Sequence, residues 1–197
     1  MPRGGLTPLI VVREAADLAD EIGYDALTLT ALASRLNVAV PSLYKHVASL
    51  EDVRRSVALM AIQELGAAIR AVIDDGAVQR GRHGPDRNMR ALAMAYRRFA
   101  LDHPGRYAAT VRAAPAGDLE LRAASDATVQ PVLELLEARG LKRDDPVHAA
   151  RGLRAALHGF AALENAGGFG LPQDVEHSFE RMVQTIDDGL REWIDSS

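Results

Sequence analysis

Between Leu27 and Val47 the chain reads L-T-L-T-A-L-A-S-R-L-N-V-A-V-P-S-L-Y-K-H-V. Leu29, Leu32, Ala33 and Leu36 fall at i, i+3, i+4 and i+7, which places them on one face of a helix. Thr28 precedes that helix and has a hydroxyl able to accept a bond from an orphan N–H in the first turn. Asn37 follows it and tolerates the left-handed backbone that ends a helix. Val38 is the apolar residue of the turn and is expected to plug the angle behind it. Pro41 suits the first turn of a second helix, where its missing N–H is not needed. Leu43 and Val47, at i and i+4, anchor that second helix inward and leave Ser42, Tyr44, Lys45 and His46 on the rest of its surface.

Two short helices joined by a tight turn form a helix-turn-helix, whose second helix enters the major groove of DNA. The pattern L-T-L-x-x-L-A-x-x-L-x-V-x-x-x-x-L-Y-x-H-V, at unbroken spacing, resembles the DNA-binding segment of TetR-type (tetracycline-repressor-like) transcriptional regulators. The resemblance implies an all-α protein. An N-terminal three-helix DNA-binding domain, residues 1–50 with the helix-turn-helix at about 28–47, precedes a larger helical effector-binding and dimerisation domain, residues 51–197. Thr28 and Thr30, at the start of the first short helix, are expected on phosphate. Ser42, Lys45 and His46 are expected at or beside base edges, Tyr44 on phosphate through its hydroxyl, and Val40 and Pro41 against a thymine methyl.

Composition fits a helical protein: 48% apolar, 25% charged and 5% aromatic residues over 197 positions. With no cysteine there is no disulfide framework, thiolate nucleophile or thiolate metal site. No signal peptide is visible, and no apolar run approaches the ~20 residues of a membrane span. A cytoplasmic protein with no membrane partner is expected. Charge argues less directly for DNA. The chain has 23 Lys+Arg against 27 Asp+Glu, a formal −4. Residues 30–56 nevertheless hold four basic groups (Arg35, Lys45, Arg54, Arg55) against two acidic ones. Neutral donors must then carry much of the backbone contact, and modest non-specific affinity is expected.

Upstream, Thr7 to Ile22 carries Val11, Ala15, Leu18 and Ile22 on one stripe, with Gly23 as a stop; Arg3 belongs to a short N-terminal arm. Downstream, Ser49-Leu50-Glu51-Asp52 is a capping-box-like start to a helix running to about Ile73. Arg54 and Arg55 in its first turns read equally well as a solvated face and as phosphate ligands. Asp74 to Asn88 is polar and glycine-containing and reads as a long loop. Helices over 86–101, just after Pro104, over 119–139 (with Pro131 inside), 144–165 and 173–194 complete the pattern.

The last two helices read as a dimer interface. Gly152, Ala155, Ala156 and Gly159 allow close approach, and Leu153, Leu157, Phe160 and Leu163 supply bulk. Phe179, Met182, Val183, Ile186, Leu190 and Trp193 form a seam repeating near every 3.5 residues. The alternative reading is that both stripes face their own subunit's core. Ala156–Phe160 (A-L-H-G-F) resembles the WHG effector domain of some TetR-type regulators, with Arg154 standing about where the tryptophan would fall. The family resemblance also implies a mostly apolar effector cavity. Its candidate lining residues are Met60, Met89, Tyr96, Phe99, His103, Tyr107 and His158, each of which also reads as ordinary core packing.

Enzyme signatures are missing. The six histidines (His46, His83, His103, His148, His158, His177) include no H-E-x-x-H and no i, i+4 pair, and no phosphate loop or nucleophile elbow occurs. No catalytic residue, metal site or cofactor is expected. The sequence therefore points to a ligand-responsive repressor binding a palindromic double-stranded operator as a homodimer, released by a small, largely apolar effector. The alternative is a helical ligand-sequestering protein with a vestigial helix-turn-helix.

Overall fold

The computed structural model describes residues 5–78 and 86–195. Every element within them is helical: α1 (Pro8–Ile22), α2 (Leu29–Arg35), α3 (Val40–Leu43), α4 (Leu50–Val78), α5 (Asp86–Asp102), α6 (Pro104–Ala109), α7 (Leu119–Ala138), α8 (Asp145–Asn165) and α9 (Val175–Asp195), with one 3-10 turn at Tyr24–Ala26. The Arg3 arm lies outside the described residues. So do residues 79–85 of the expected 74–88 loop; the rest of that stretch is helical, since α4 runs on to Val78 and α5 starts at Asp86. α7 continues through Pro131.

Helix ends follow the local chemistry. Thr7 accepts a bond from the Ile10 N–H at 3.3 Å, and Gly23 closes α1 with φ 91° while its N–H donates to Ala19 O. Ser49 Oγ accepts from Asp52 N–H at 3.1 Å, and the Asp52 carboxylate accepts from Ala48 N–H at 3.0 Å. This is the reciprocal capping expected of the segment, shifted back by one residue on the return bond.

The chain packs as two compact units. The first comprises residues 1–64 and 102–125, the second 65–101 and 126–197. The packing unit around the helix-turn-helix thus reaches beyond residues 1–50, because the start of α4, all of α6 and the start of α7 join it. Val11, Ala15, Leu32, Leu43, Val53, Val57 and Ala61 sit at its centre, each at most 1% exposed. α6 lies directly on α1. A Cβ on Gly105 would stand 2.0 Å from Ala19 O. Arg106 N–H donates to Asp20 Oδ1 at 2.8 Å, and the Arg106 guanidinium pairs with Asp17 and Asp20.

The second unit holds α5, α8 and α9. Arg97 on α5 donates two bonds to Glu164 of α8, at 2.8 and 2.6 Å, and its guanidinium lies 4.9 Å from the Phe179 ring. Arg139 pairs with Asp187, both deeply buried. This unit also holds the residues of the expected dimer seam. Leu153, Leu157, Phe179, Val183 and Leu190 are buried within the chain itself, so they pack their own subunit's core; Phe160, Met182, Ile186 and Trp193 are half-buried. Periodicity marked the apolar stripe but could not say what covered it. Of the α8 residues expected at the interface, Gly152, Ala155 and Leu163 are exposed.

One expectation about hydropathy also needs correcting. Leu50–Asp74 of α4 is long and apolar enough, by length and composition, to cross a membrane. Val53, Val57, Ala61 and Ile62 of it are buried within the first unit, and Leu65 and Ile69 within the second.

Candidate nucleic-acid interface

The site is built on the helix-turn-helix of the first unit. Thr28 caps α2 from an extended backbone (φ −136°, ψ 154°), its hydroxyl oxygen accepting from Ala31 N–H at 3.1 Å. Accepting leaves the Thr28 hydroxyl proton free to donate outward, and both Thr28 and Thr30 are exposed. Asn37 takes φ 53°, and Val38 N–H reaches back to Ala33 O at 3.0 Å, ending α2 with a left-handed cap. Val38 packs, half-buried, against the core below the turn.

α3 is short. Regular helix covers only Val40–Leu43, with Pro41 in the first turn. The chain then tightens, with His46 N–H donating to Leu43 O at 2.8 Å and Val47 N–H to the same oxygen at 3.0 Å. Leu43 is fully buried and Val47 is 5% exposed, so this segment is anchored from beneath. Pro41, Tyr44 and Lys45 point into solvent, Tyr44 with 56% exposure. Ser42 and His46 are half-buried, and Val40 is half-buried against the core.

The electrostatics of the site differ from a count of charges. Arg35 is drawn to α1, donating from Nε to Glu14 and from Nη1 to Glu21, both at 2.8 Å. Arg55 donates to both carboxylate oxygens of Asp118, at 2.6 and 2.7 Å, and to Glu120 at 2.8 Å. These bonds raise the Arg55 pKa further above its ordinary value. The Arg55 guanidinium, followed by Leu121 N–H, holds the Asp118 carboxyl below the usual carboxylate range. Arg54 Nη2 donates to Asp25 O at 3.0 Å and Leu27 O at 3.1 Å. Of the basic side chains between 30 and 56, that of Lys45 alone makes no ion pair or hydrogen bond among the described residues, its backbone N–H donating to Ser42 O at 3.4 Å. Arg54 and Arg55 are thus engaged by groups of the protein itself, which the sequence had left open.

The candidate effector residues divide between the units. Met60, His103 and Tyr107 belong to the first, with His103 Nδ1 3.3 Å from Asp20 Oδ2 at the α1–α6 junction and Tyr107 buried. Met89, Tyr96, Phe99 and His158 belong to the second, where the first three are buried and His158 half-buried. Sequence reasoning missed Asp17, Asp20 and Arg106, and the Asp118–Arg55 pair. The only local sign of the first group was Asp17 and Asp20 at i, i+3 on one polar face.

Comparison with known proteins supplies the context. Residues 11–56 match the family described as bacterial regulatory proteins, tetR family, and residues 89–186 match the tetracyclin repressor-like C-terminal domain. The chain is 34% identical over 190 residues to the uncharacterized HTH-type transcriptional regulator YobS of Bacillus subtilis (strain 168), covering 96% of this chain and 95% of that one. It is 40% identical over 158 residues to an uncharacterized HTH-type transcriptional regulator of Mycobacterium tuberculosis, covering 80% and 69% respectively. Among solved structures, a protein of unknown function from Rhodococcus sp. RHA1 superposes with TM-score 0.78 at 22% identity, over 95% and 97% of the two chains. A TetR variant from Acinetobacter baumannii AYE in complex with minocycline gives TM-score 0.64 at 19% identity, over 96% and 98%.

Proposed function

Since this chain belongs to the TetR family of transcriptional regulators, which bind DNA through a helix-turn-helix, we propose that it is a ligand-responsive repressor binding a palindromic operator as a homodimer. The observation that carries this reading is the surface of the helix-turn-helix. Tyr44 and Lys45 stand in solvent above a fully buried Leu43, with Thr28 and Thr30 exposed at the start of α2, while the neighbouring arginines are paired with groups of the protein itself. Thr28, Thr30 and Tyr44 donate hydroxyls to phosphate; Lys45, Ser42 and His46 work at base edges, with Pro41 and Val40 beside a thymine methyl. With the Lys45 side chain the one unpaired cation among the described residues of 30–56, unrelated DNA is bound weakly and affinity is drawn from site-specific contacts.

Two readers must be held about one helical turn of DNA apart, ~34–36 Å, to meet both halves of an operator. The outward face of α8, with Gly152 and Ala155, is the surface on which a second copy packs; no neighbouring atom lies within 4 Å of a Cβ built at Gly152. A small, largely apolar effector binds among the helices following α4 and favours a state in which the reader spacing no longer matches the half-sites, so DNA affinity falls by linkage. Support for this step comes from the family and from the minocycline complex of the Acinetobacter protein.

The test is enrichment of a duplex from a random-sequence pool by the purified protein, followed by a salt series on the enriched duplex and a scrambled one. Saturable binding orders of magnitude tighter than to the scramble, two protomers per site, is the expected result. Tyr44→Phe and Lys45→Ala should each weaken it, and Lys45→Ala should also lower the salt slope if Lys45 contacts phosphate as well as base. A folded, dimeric Lys45→Ala and Tyr44→Phe pair with unchanged affinity would overturn the assigned contacts. Absence of salt-dependent binding to any duplex would favour the sequestering protein with a vestigial reader.

A further inference from the structure

We infer that Arg54 is a positioning residue for DNA recognition: it fixes the junction that feeds α2, and so sets where Thr28 and Thr30 stand, without itself touching DNA. The inference rests on the reading of this surface as the DNA-binding face. Arg54 lies in the second turn of α4, close enough to the reader in sequence that a phosphate contact is the natural first expectation. The geometry points elsewhere. Its Nη2 donates to two main-chain carbonyls, Asp25 O at 3.0 Å and Leu27 O at 3.1 Å. Leu27 is the residue immediately before the α2 cap, Thr28. In return, the Tyr24 hydroxyl donates to the Arg54 main-chain oxygen at 3.1 Å.

These bonds close a loop of contacts. The start of α4 grips the 3-10 turn and the last residue before α2, and that turn grips the start of α4. Arg54 Nε is buried, with no hydrogen-bond partner among the described residues, so the guanidinium is sunk into the junction rather than displayed. Burial raises the Tyr24 pKa, which keeps the phenol protonated and donating. The segment needs such an anchor. Residues 24–28 run as a single 3-10 turn and an extended cap, and their carbonyls have little regular helix to satisfy them. Both carbonyl bonds leave one Nη2 amino group, whose two N–H directions are fixed in the guanidinium plane; a lysine's freely rotating ammonium on a shorter stem does not hold the same two directions. A shift of the Leu27 carbonyl is carried into Thr28 directly, because they share a peptide unit.

The experiment separates positioning from contact through salt dependence. Arg54→Met and Arg54→Lys are measured on a duplex that the wild-type protein enriches from a random pool, across a range of salt. Positioning predicts that Arg54→Met binds roughly tenfold or more weakly, that Arg54→Lys recovers only part of the loss, and that the salt slope is the same for all three proteins. A direct phosphate contact predicts a slope lower by about 1 in Arg54→Met and restored in Arg54→Lys; that result overturns the inference, as does wild-type affinity in Arg54→Met. Tyr24→Phe, which removes one bond of the loop and no charge, should weaken binding in the same direction by less.

Amide hydrogen exchange on the DNA-free protein gives a readout that needs no operator. Arg54→Met should speed exchange from Ala26 to Leu32 and leave the buried stretch of α1 at Ala15–Ala19 unchanged. Uniformly faster exchange would reduce Arg54 to a general stabiliser and sink the proposal. Should the wild-type protein enrich no duplex at all, the DNA-binding reading fails while exchange still decides whether Arg54 fixes this junction.

Discussion

Replacing Gly105 with alanine tests the claim that α6 is seated on the backbone of α1. A Cβ at this position would stand 2.0 Å from Ala19 O, 2.1 Å from Ala19 C and 2.6 Å from Asp20 N. All are main-chain atoms inside a helix, so no side chain can swing away. Ordinary contact for a carbon begins near about 3.5 Å, so α6 must retreat by roughly 1.5 Å. Rigid retreat by that amount stretches the Arg106 N–Asp20 Oδ1 bond, now 2.8 Å, beyond hydrogen-bonding range. Losing a bond to a charged acceptor costs about 1.5–3 kcal/mol, and overpacking a tight contact adds about 1–3 kcal/mol. The combined expectation, about 2.5–6 kcal/mol, corresponds to a Tm lowered by roughly 5–24 °C in a chain of this size. Urea and thermal unfolding read it directly. Gly117→Ala is the control, since a Cβ there meets nothing within 4 Å; it should be neutral or mildly stabilising, by up to about 1 kcal/mol. A Gly105→Ala protein melting within 2 °C of the wild type, on the order of 1 kcal/mol or less, would refute the close α1–α6 seat.

Three further outcomes follow from other parts of the molecule. Asn37, at φ 53°, should lose about 1 kcal/mol of stability on change to alanine and little or nothing on change to glycine, measured by urea midpoints. Arg97→Ala strands the largely buried Glu164 carboxylate that it now holds through two bonds, and should cost about 3 kcal/mol or more; adding Glu164→Gln to that variant should recover part of the loss. Asp118 has a folded-state pKa below its unfolded value, first because of Arg55 and then because of Leu121 N–H. Its contribution to stability is therefore fully present above the ordinary carboxylate range and disappears as pH falls through the lowered folded value. Asp118→Asn should be less stable than wild type at neutral pH, with the gap closing in acid, and a gap that stays constant from pH 7 to pH 3 would contradict the pairing.

The caps at Thr28 and Ser49, the left-handed Asn37 and the helix-turn-helix itself were legible in the residues, and so was the family; the far end of α4 was not, since it runs on to Val78. The legible features all depend on interactions within about one helical turn: a hydroxyl reaching an N–H three residues on, or an asparagine tolerating positive φ. Such interactions are written in the spacing of neighbours. What the reader's surface displays was legible for Tyr44 and Lys45, because buried Leu43 and Val47 fix the phase of their segment.

Only the tertiary structure decided where the charges go and what covers each apolar stripe. Arg55 meets Asp118 across 63 positions, and Arg106 meets Asp20 across 86; no local pattern encodes those pairings, so a count of cations near the reader overstated what is free to meet DNA. The same reason governs α8 and α9. Periodicity gives the phase of Leu153, Leu157, Phe179 and Leu190 around their helices, but burial depends on which helix packs against that face, and the chain's own core takes them. A stripe is a property of one helix, while an interface is a property of two surfaces brought together by the whole fold.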